Sequence, residues 1–315
     1  SKLSVGLERC VAGACTTIGG STACSSALAD ILKDPKELSQ AYALLGASAG
    51  LGVIIGPLIG GLAVGRSGIA RRAFSIGAVF SALQLALVSA HIPETLAPRD
   101  RKAMPGKELL STMNPLTMLQ LFTNGSVVAR LVSIGALQCF CEGKAISDLN
   151  TYYLLNDAKF TSAQRSLYIS CFGVVMTAAG MIGRRTIDTF GMRGHTTLQN
   201  LASVVGFSLM GSTTLMPVIF SSLLLYVFAM ERRAAVSSLA VKAAIASGMG
   251  NGEFSAAFAN LRAIVVGVAP LLYARLYAWG RRANSPGLPY FAAGAIALVA
   301  EAVHRTMRNK QLEFK

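Results

Sequence analysis

The sequence is poor in charged residues, which make up only 14% of its 315 positions. A soluble domain carries roughly 25% charged residues, because its surface faces water. Hydrophobic residues reach 53%, and the mean hydropathy is +0.52. A chain of this length with so few charges has too little polar surface to cover a globule, so we expect it to lie in lipid.

Motifs of soluble enzymes and of metal sites are also missing. We find no P-loop, no G-x-S-x-G and no H-E-x-x-H motif, and the six cysteines form no Cys-x-x-Cys pair. The net charge of +14 comes from short basic clusters between apolar stretches, which disfavours a nucleic-acid partner. We therefore predict a monomeric, non-enzymatic protein without cofactor or metal, whose partners are the lipid bilayer and a small-molecule substrate.

Apolar stretches long enough to cross the hydrocarbon core, which takes about 20 helical residues, recur along the chain. The uncharged run Thr196–Met230 would be about 52 Å long as one helix, so we divide it at Pro217. The residues Glu231 to Arg233 either end the seventh span or lie within a longer one reaching Ile245. The prediction is an all-α polytopic fold with nine transmembrane helices: Val5–Leu32, Ala41–Gly65, Ala73–Ile92, Val127–Tyr153, Ser166–Ile182, Thr197–Leu215, Pro217–Val236, Phe254–Trp279 and Leu288–Thr306.

Alternating crossings predict the topology and the domain organisation. They place about twice as many Lys and Arg residues on one side, Arg232, Arg233 and the C-terminus included, so we assign that side to the cytoplasm. Transporters are often built from repeats of three spans, and nine spans are such a set of twelve without its first three. We predict the second half of an N-terminal bundle at 1–92, a cytoplasmic interdomain loop at 93–126, a C-terminal six-helix bundle at 127–307 and a cytoplasmic tail at 308–315.

The second predicted span contains the pattern G-x-x-x-G-P-x-x-G-G. Small residues four apart let two helices approach closely, and Gly46 and Gly50 extend the same seam. The proline favours a kink, because it removes a backbone hydrogen bond. The full pattern resembles the antiporter motif in the fifth span of drug–proton antiporters of the major facilitator superfamily. It is formed by Gly52, Gly56, Pro57, Gly60 and Gly61.

Weaker matches follow in the order of that family. The segment Arg9-Cys-Val-Ala-Gly13 resembles the R-x-x-x-G motif of the fourth span, and Asp30 resembles the acidic end of the same span. A degraded copy of the loop G-x-x-x-D-R-x-G-R between spans eight and nine contains Arg184, Asp188 and Gly191, with Thr189 where Arg is expected. Residues 261–273 and 286–290 resemble the last two spans of tetracycline-efflux-like and hippocampus-abundant-transcript-like members.

The resemblance covers family spans four to twelve and implies a function. The family members are secondary transporters that work by alternating access between two helical bundles. For this chain the resemblance implies proton-coupled antiport, that is efflux, of a small organic solute, with protons as the coupling ion. The alternative is a transport-inactive membrane scaffold or regulatory protein, which the missing spans and Thr189 favour, or a truncated fragment of a transporter.

Ionisable residues inside predicted spans are costly in lipid and are therefore candidates for a substrate or proton pathway. Lys144 and Asp148 are four residues apart and can neutralise each other. Glu142 lies about 22 Å from the cytoplasmic end of its span and has no partner in its own helix. It either carries a proton or pairs permanently with Arg9, Arg262 or Arg232 across the cavity. The candidates are Arg9, Glu142, Lys144, Asp148 and Arg262.

Two interpretations remain open for each of the two arginines in this set. Arg9 either serves the proton pathway, as the resemblance implies, or is a snorkelling residue at the outer end of its span. Arg262 either pairs across spans or binds substrate.

Overall fold

The computed structural model describes residues 21–64, 70–91, 94–95 and 115–307. Arg9 lies outside these residues, as do residues 96–114 of the interdomain loop and the C-terminal tail. All regular elements in the described part are helical, in agreement with the predicted fold class. A 3-10 segment, Pro115–Leu119, and a single turn, Gln120–Thr123, precede α4. The helices are α1 (Ser21–Ile31), α2 (Pro35–Val64), α3 (Ala70–His91), α4 (Ser126–Phe140), α5 (Gly143–Asn156), α6 (Ser162–Ser212), α7 (Met216–Tyr226), α8 (Arg232–Ala246), α9 (Asn251–Arg282) and α10 (Leu288–Arg305).

Four helical segments of the described part are long and apolar enough to cross a membrane: Pro35–Gly56, Ser126–Asn156, Gln164–Ser212 and Asn251–Arg282. The third has 49 residues, which is about 74 Å of straight helix. A hydrocarbon core is about 30 Å thick. This segment is therefore long enough for two crossings, as the sequence predicts.

α6 reverses its direction at Gly191, where φ is 67° and ψ is 176°. The Oγ1 atom of Thr186 lies 2.7 Å from Nδ1 of His195, although nine residues of straight helix span about 13 Å. A positive φ favours glycine, which has no β-carbon. The predicted spans Ser166–Ile182 and Thr197–Leu215 are thus the two arms of α6. The loop predicted between them is wrong, because helix continues up to and beyond the reversing glycine.

The boundary between α6 and α7 agrees with the division predicted at Pro217. α6 ends at Ser212, and α7 begins one residue before Pro217. Proline is well suited to the first turn of a helix, since its missing N–H has no intrahelical partner there. The predicted division of the long uncharged run is confirmed.

α2 packs along the first arm of α6 through small residues. A β-carbon on Gly50 would lie 2.5 Å from the backbone nitrogen of Thr177, and one on Gly180 would lie 2.4 Å from the carbonyl oxygen of Ala43. Both helices therefore require glycine at these contacts. The close approach predicted for the Gly46–Gly50 seam is confirmed.

The prediction that the whole Gly46–Gly61 face packs closely is wrong for Gly52 and Gly56. No described atom lies within 4 Å of a β-carbon built on either residue. Gly52 and Gly56 follow Gly50 by two and six residues, which correspond to rotations of about 200° and about 240° around the helix. Both glycines therefore point away from the side that Gly50 presents to α6. The surroundings of Pro57, Gly60 and Gly61 lie outside the description, although α2 is helical through all three.

The buried apolar side chains form two clusters. One lies entirely within the C-terminal part and includes Tyr153, Phe207 and Tyr290. The other joins Ala29 of α1 and Leu38 of α2 to side chains of α4, α8 and α9. The N-terminal and C-terminal parts therefore share a core at the end of the molecule that the sequence predicts to be cytoplasmic.

Candidate substrate and proton site

The predicted span Val127–Tyr153 is not continuous. α4 ends at Phe140, and α5 begins at Gly143, whose φ is 72°. Between them the backbone of Glu142 is extended, with φ −134° and ψ 173°. Because Gly143 adopts a conformation that L side chains disfavour, the chain can leave one helix and start the next within two residues. Glu142 thus lies at a helix break rather than in mid-helix.

A second break separates α7 from α8. α7 ends at Tyr226, five residues of turn follow, and α8 runs from Arg232 to Ala246. The longer version of the seventh span is therefore the correct one, although it contains a break. Arg232 is fully buried, so its assignment, with Arg233, to the basic cytoplasmic side was wrong. The predicted excess of basic residues on that side remains without them.

The two breaks occupy equivalent places in the chain. Each broken pair, α4–α5 and α7–α8, is followed by two further helical passes: the arms of α6 in one case, and α9 and α10 in the other. In transporters built from repeats, interrupted helices at corresponding positions form the substrate and ion sites. The breaks therefore mark the candidate site.

An ion-pair cluster joins the breaks. The Glu142 carboxylate pairs with the guanidinium of Arg233, and its Oε1 atom lies 3.5 Å from Nε of Arg232. The side chains of Glu142, Arg233 and Arg232 are 16%, 28% and 1% exposed, respectively. Glu142 thus has cationic partners, and one of them is Arg232, which the pairing alternative names. That Glu142 also carries a proton stays a prediction.

Arg232 is only partly satisfied. Its Nε atom donates to the carbonyl oxygen of Ala229 at 2.8 Å, and its guanidinium lies 5.7 Å from the centre of the Phe207 ring. Its Nη1 and Nη2 atoms are buried and have no hydrogen-bond partner in the described part of the chain. Buried guanidinium N–H groups without acceptors are costly.

Arg262 reaches the same cluster from α9. It is close enough to interact electrostatically with Glu142 and Arg233. Among the described residues no carboxylate lies within 4 Å of Arg262, so the predicted cross-span ion pair is not seen. Asp148 is exposed on α5. The side chain of Lys144 lies outside the described part, which leaves the predicted Lys144–Asp148 pair untested.

Glu231 is a member of the cluster that the sequence analysis did not select. Its carboxylate packs against Gly46 of α2, where a β-carbon would collide with it. Its backbone N–H donates to Oε1 of Gln199 at 3.0 Å, and its carboxylate interacts electrostatically with Glu142 and Arg233. Gly46 therefore brings the N-terminal part into contact with the ion-pair cluster.

Polar contacts close the predicted cytoplasmic end. Asp188 accepts from Nζ of Lys36 at 2.7 Å and from Nε2 of Gln40 at 2.8 Å. Asp30 accepts from Nδ2 of Asn251 at 2.7 Å. The predicted motif residues Asp30 and Asp188 thus contact the opposite part of the molecule, whereas Arg184 is exposed.

A second buried carboxylate, Glu301 of α10, lies in a hydrogen-bond network. Asn200 donates to its Oε2 atom at 3.1 Å, and Thr197 and Arg305 donate to Oε1 at 3.0 and 2.9 Å. Asn200 also accepts from Gln138 at 2.9 Å. The network connects α4, α6 and α10, and the sequence analysis did not identify it.

Removing this carboxylate should destabilise the C-terminal part. We expect Glu301→Ala to lower the free energy of unfolding by about 3 kcal/mol, because it leaves buried donors without an acceptor. Glu301→Gln keeps an acceptor and should cost clearly less. Thermal unfolding of the purified protein in detergent measures both. Equal midpoints for Glu301→Ala and the wild type would show that the network does not stabilise the fold.

Comparisons with known proteins identify the family of this chain. The profile of the Major Facilitator Superfamily matches residues 9–270. The chain belongs to this superfamily. The fold is similar to the crystal structure of the human organic anion transporter MFSD10 (TETRAN), with a TM-score of 0.71 and 22% sequence identity over 90% of this chain and 68% of that chain. A comparison with curated protein sequences finds no significant match.

Membership in the Major Facilitator Superfamily explains the architecture. The chain is a multi-pass secondary transporter rather than an enzyme. The pairs of Glu142 with Arg232 and Arg233 join the two helix breaks. The contacts of Asp30 and Asp188 join the N-terminal and C-terminal parts, which move relative to each other in such transporters. The described conformation is closed at the end that the sequence predicts to be cytoplasmic.

Proposed function

We propose that this chain is a proton-coupled transporter that moves a small organic solute by alternating access. Glu142 is the group that carries the proton. Antiport in the efflux direction is the mode that the resemblance to drug–proton antiporters implies. The N-terminal and C-terminal parts are the units that move relative to each other, and the cluster at the two helix breaks is the shared site.

The observation that carries this proposal is the ion pair of Glu142 with Arg233 and Arg232 at the meeting of the breaks. A partly buried carboxylate can exchange a cationic partner for a proton, because either one removes its unfavourable buried charge. An inert scaffold would have no use for such a partly buried group of charges.

The closing contacts are weak enough to open during a transport cycle. The Lys36–Asp188 pair is about half exposed, and exposed ion pairs contribute about 0–1 kcal/mol. Seams of small residues, such as that of Gly50 and Gly180, let α2 and α6 slide without large side chains interlocking. These features favour a transporter that changes conformation over a rigid scaffold.

A pH gradient tests this proposal directly. In proteoliposomes containing the full-length protein, an imposed gradient should drive a transported solute above its equilibrium distribution. A protonophore should abolish this accumulation and leave downhill exchange intact. If the accumulation is unaffected by the protonophore, the transporter uses another driving ion. If no solute in a broad panel moves, the scaffold alternative is correct.

A further inference from the structure

The charges around the two helix breaks do not balance. Three arginines, Arg232, Arg233 and Arg262, surround the two carboxylates of Glu142 and Glu231. Arg262 has no carboxylate within 4 Å among the described residues, and its largest charge interaction is the repulsion from Arg233. The excess charge at the cluster is therefore positive.

The backbone adds positive potential at the same place. α5 begins at Gly143 and α8 begins at Arg232, and neither helix has a side-chain cap at its first turn. The free N–H groups at a helix start attract anions, whereas a cation there is disfavoured. Placing Arg232 and Arg233 in the first turn of α8 is unfavourable unless an anion lies nearby.

Arg232 provides an independent indication. Its Nη1 and Nη2 groups are buried and lack an acceptor in the described part of the protein. Glu142 contacts only its Nε side, at 3.5 Å. A guanidinium that is 1% exposed and keeps two unused donor groups indicates that the described part of the cluster supplies too few acceptors for its arginines.

We infer that the transported solute carries an anionic group, such as a carboxylate or sulfonate, that binds between Arg262 and Arg233 at the two helix breaks. This inference rests on the proposed site at Glu142. It follows from the arginines of this chain alone, since 22% identity to an organic anion transporter shows the fold only. Arg233 and Arg262 are partly exposed and form the first contact, with Arg232 behind them.

An anionic solute determines whether proton and solute move in the same direction or in opposite directions. Protonation of Glu142 removes a negative charge beside the anion site and frees Arg233, so it strengthens anion binding. By reciprocity the anion favours protonation of Glu142. Proton and solute are then carried in the same direction, as in symport, whereas the resemblance implies antiport. In the described part of the chain, the groups that face Glu142 are Arg232, Arg233, Arg262, Glu231, Cys139 and Cys141.

Equilibrium binding to the purified full-length protein tests the inference without requiring transport. The probes are phenylacetate, phenylacetamide and phenethylamine, and the corresponding naphthyl compounds, at constant ionic strength. We expect a carboxylate to bind at least tenfold more tightly than its amide and amine. Arg262→Gln should remove most of this preference, whereas Arg275→Gln, an exposed arginine on the same helix, should not.

The outcomes separate this inference from the proposed function. Glu142→Gln should bind the carboxylate more tightly than the wild type, because the substitution removes a negative charge beside the anion site. The inference is overturned if the amine binds best, if acid and amide bind equally, or if no carboxylate binds at millimolar concentration. If the protein instead transports a cation driven by protons, the inference is wrong but the proposed function stands. If a carboxylate binds but no proton-driven transport occurs, the anion site stands and the proposed function is wrong.

Discussion

Glu142→Gln is expected to abolish uphill solute transport driven by a pH gradient, with a loss of at least roughly tenfold. The amide mimics the protonated carboxyl but cannot release a proton. Solute binding and counterflow exchange should remain, because the two helix breaks and the three arginines are unchanged. Accumulation under a pH gradient and exchange at equal pH, measured in the same proteoliposomes, separate the two effects.

The matched control is Asp148→Asn. Asp148 is a carboxylate on α5, six residues from Glu142, but it is exposed. Its substitution should leave both uphill transport and exchange close to wild type. If Glu142→Gln retains uphill transport at a near wild-type rate, Glu142 is not the coupling group and the ion-pair cluster is structural.

The second large effect concerns the seam between α2 and α6. Gly50→Ala places a β-carbon 2.5 Å from the backbone nitrogen of Thr177, which main-chain atoms cannot avoid without moving the helices apart. Overpacking of this kind costs about 1–3 kcal/mol, or roughly 5- to 150-fold in a conformational equilibrium. We expect the closed conformation to be depleted and the transport rate to fall by a similar factor.

Spin labels at the exposed positions Lys33 and Ser247 would report this change as a longer distance across the closed end. Gly267→Ala is the matched control, since α9 leaves open space around that glycine in the described part. It should leave distance and rate unchanged, and its higher helix propensity should not reduce stability. An unchanged distance in Gly50→Ala would mean that the seam does not support the closed state.

Much of the fold was predictable from the sequence. Apolar runs of about 20 residues, the proline at 217 and the small-residue seam have direct physical consequences for helices in lipid. The continuation of helix on both sides of Gly191 was not predicted, because the charged residues before and after this glycine are typical of a loop between two spans. The open face of Gly52 and Gly56 follows from helical rotation, which a linear motif does not display.

The candidate site was predictable only in part. Glu142 stands out because a carboxylate in an apolar run is costly, and Gly143 beside it was the available sign of a helix break. Glu231, Arg232 and Arg233 resembled the polar end of a span, so their burial could not be inferred from hydropathy. The pairing of Glu142 with Arg233 is a contact between residues far apart in the chain, and such contacts depend on how the helices are placed against each other.

Proton movement driven by the solute tests the central claim most directly. Proteoliposomes containing the full-length protein and a pH-sensitive dye in the lumen are mixed with a transported solute in the absence of a pH gradient. The account predicts a change in lumenal pH that accompanies solute entry in the wild type and is absent in Glu142→Gln, while the anionic solute makes the lumen more acidic. Solute entry without any pH change in the wild type, or an undiminished pH change in Glu142→Gln, would contradict it.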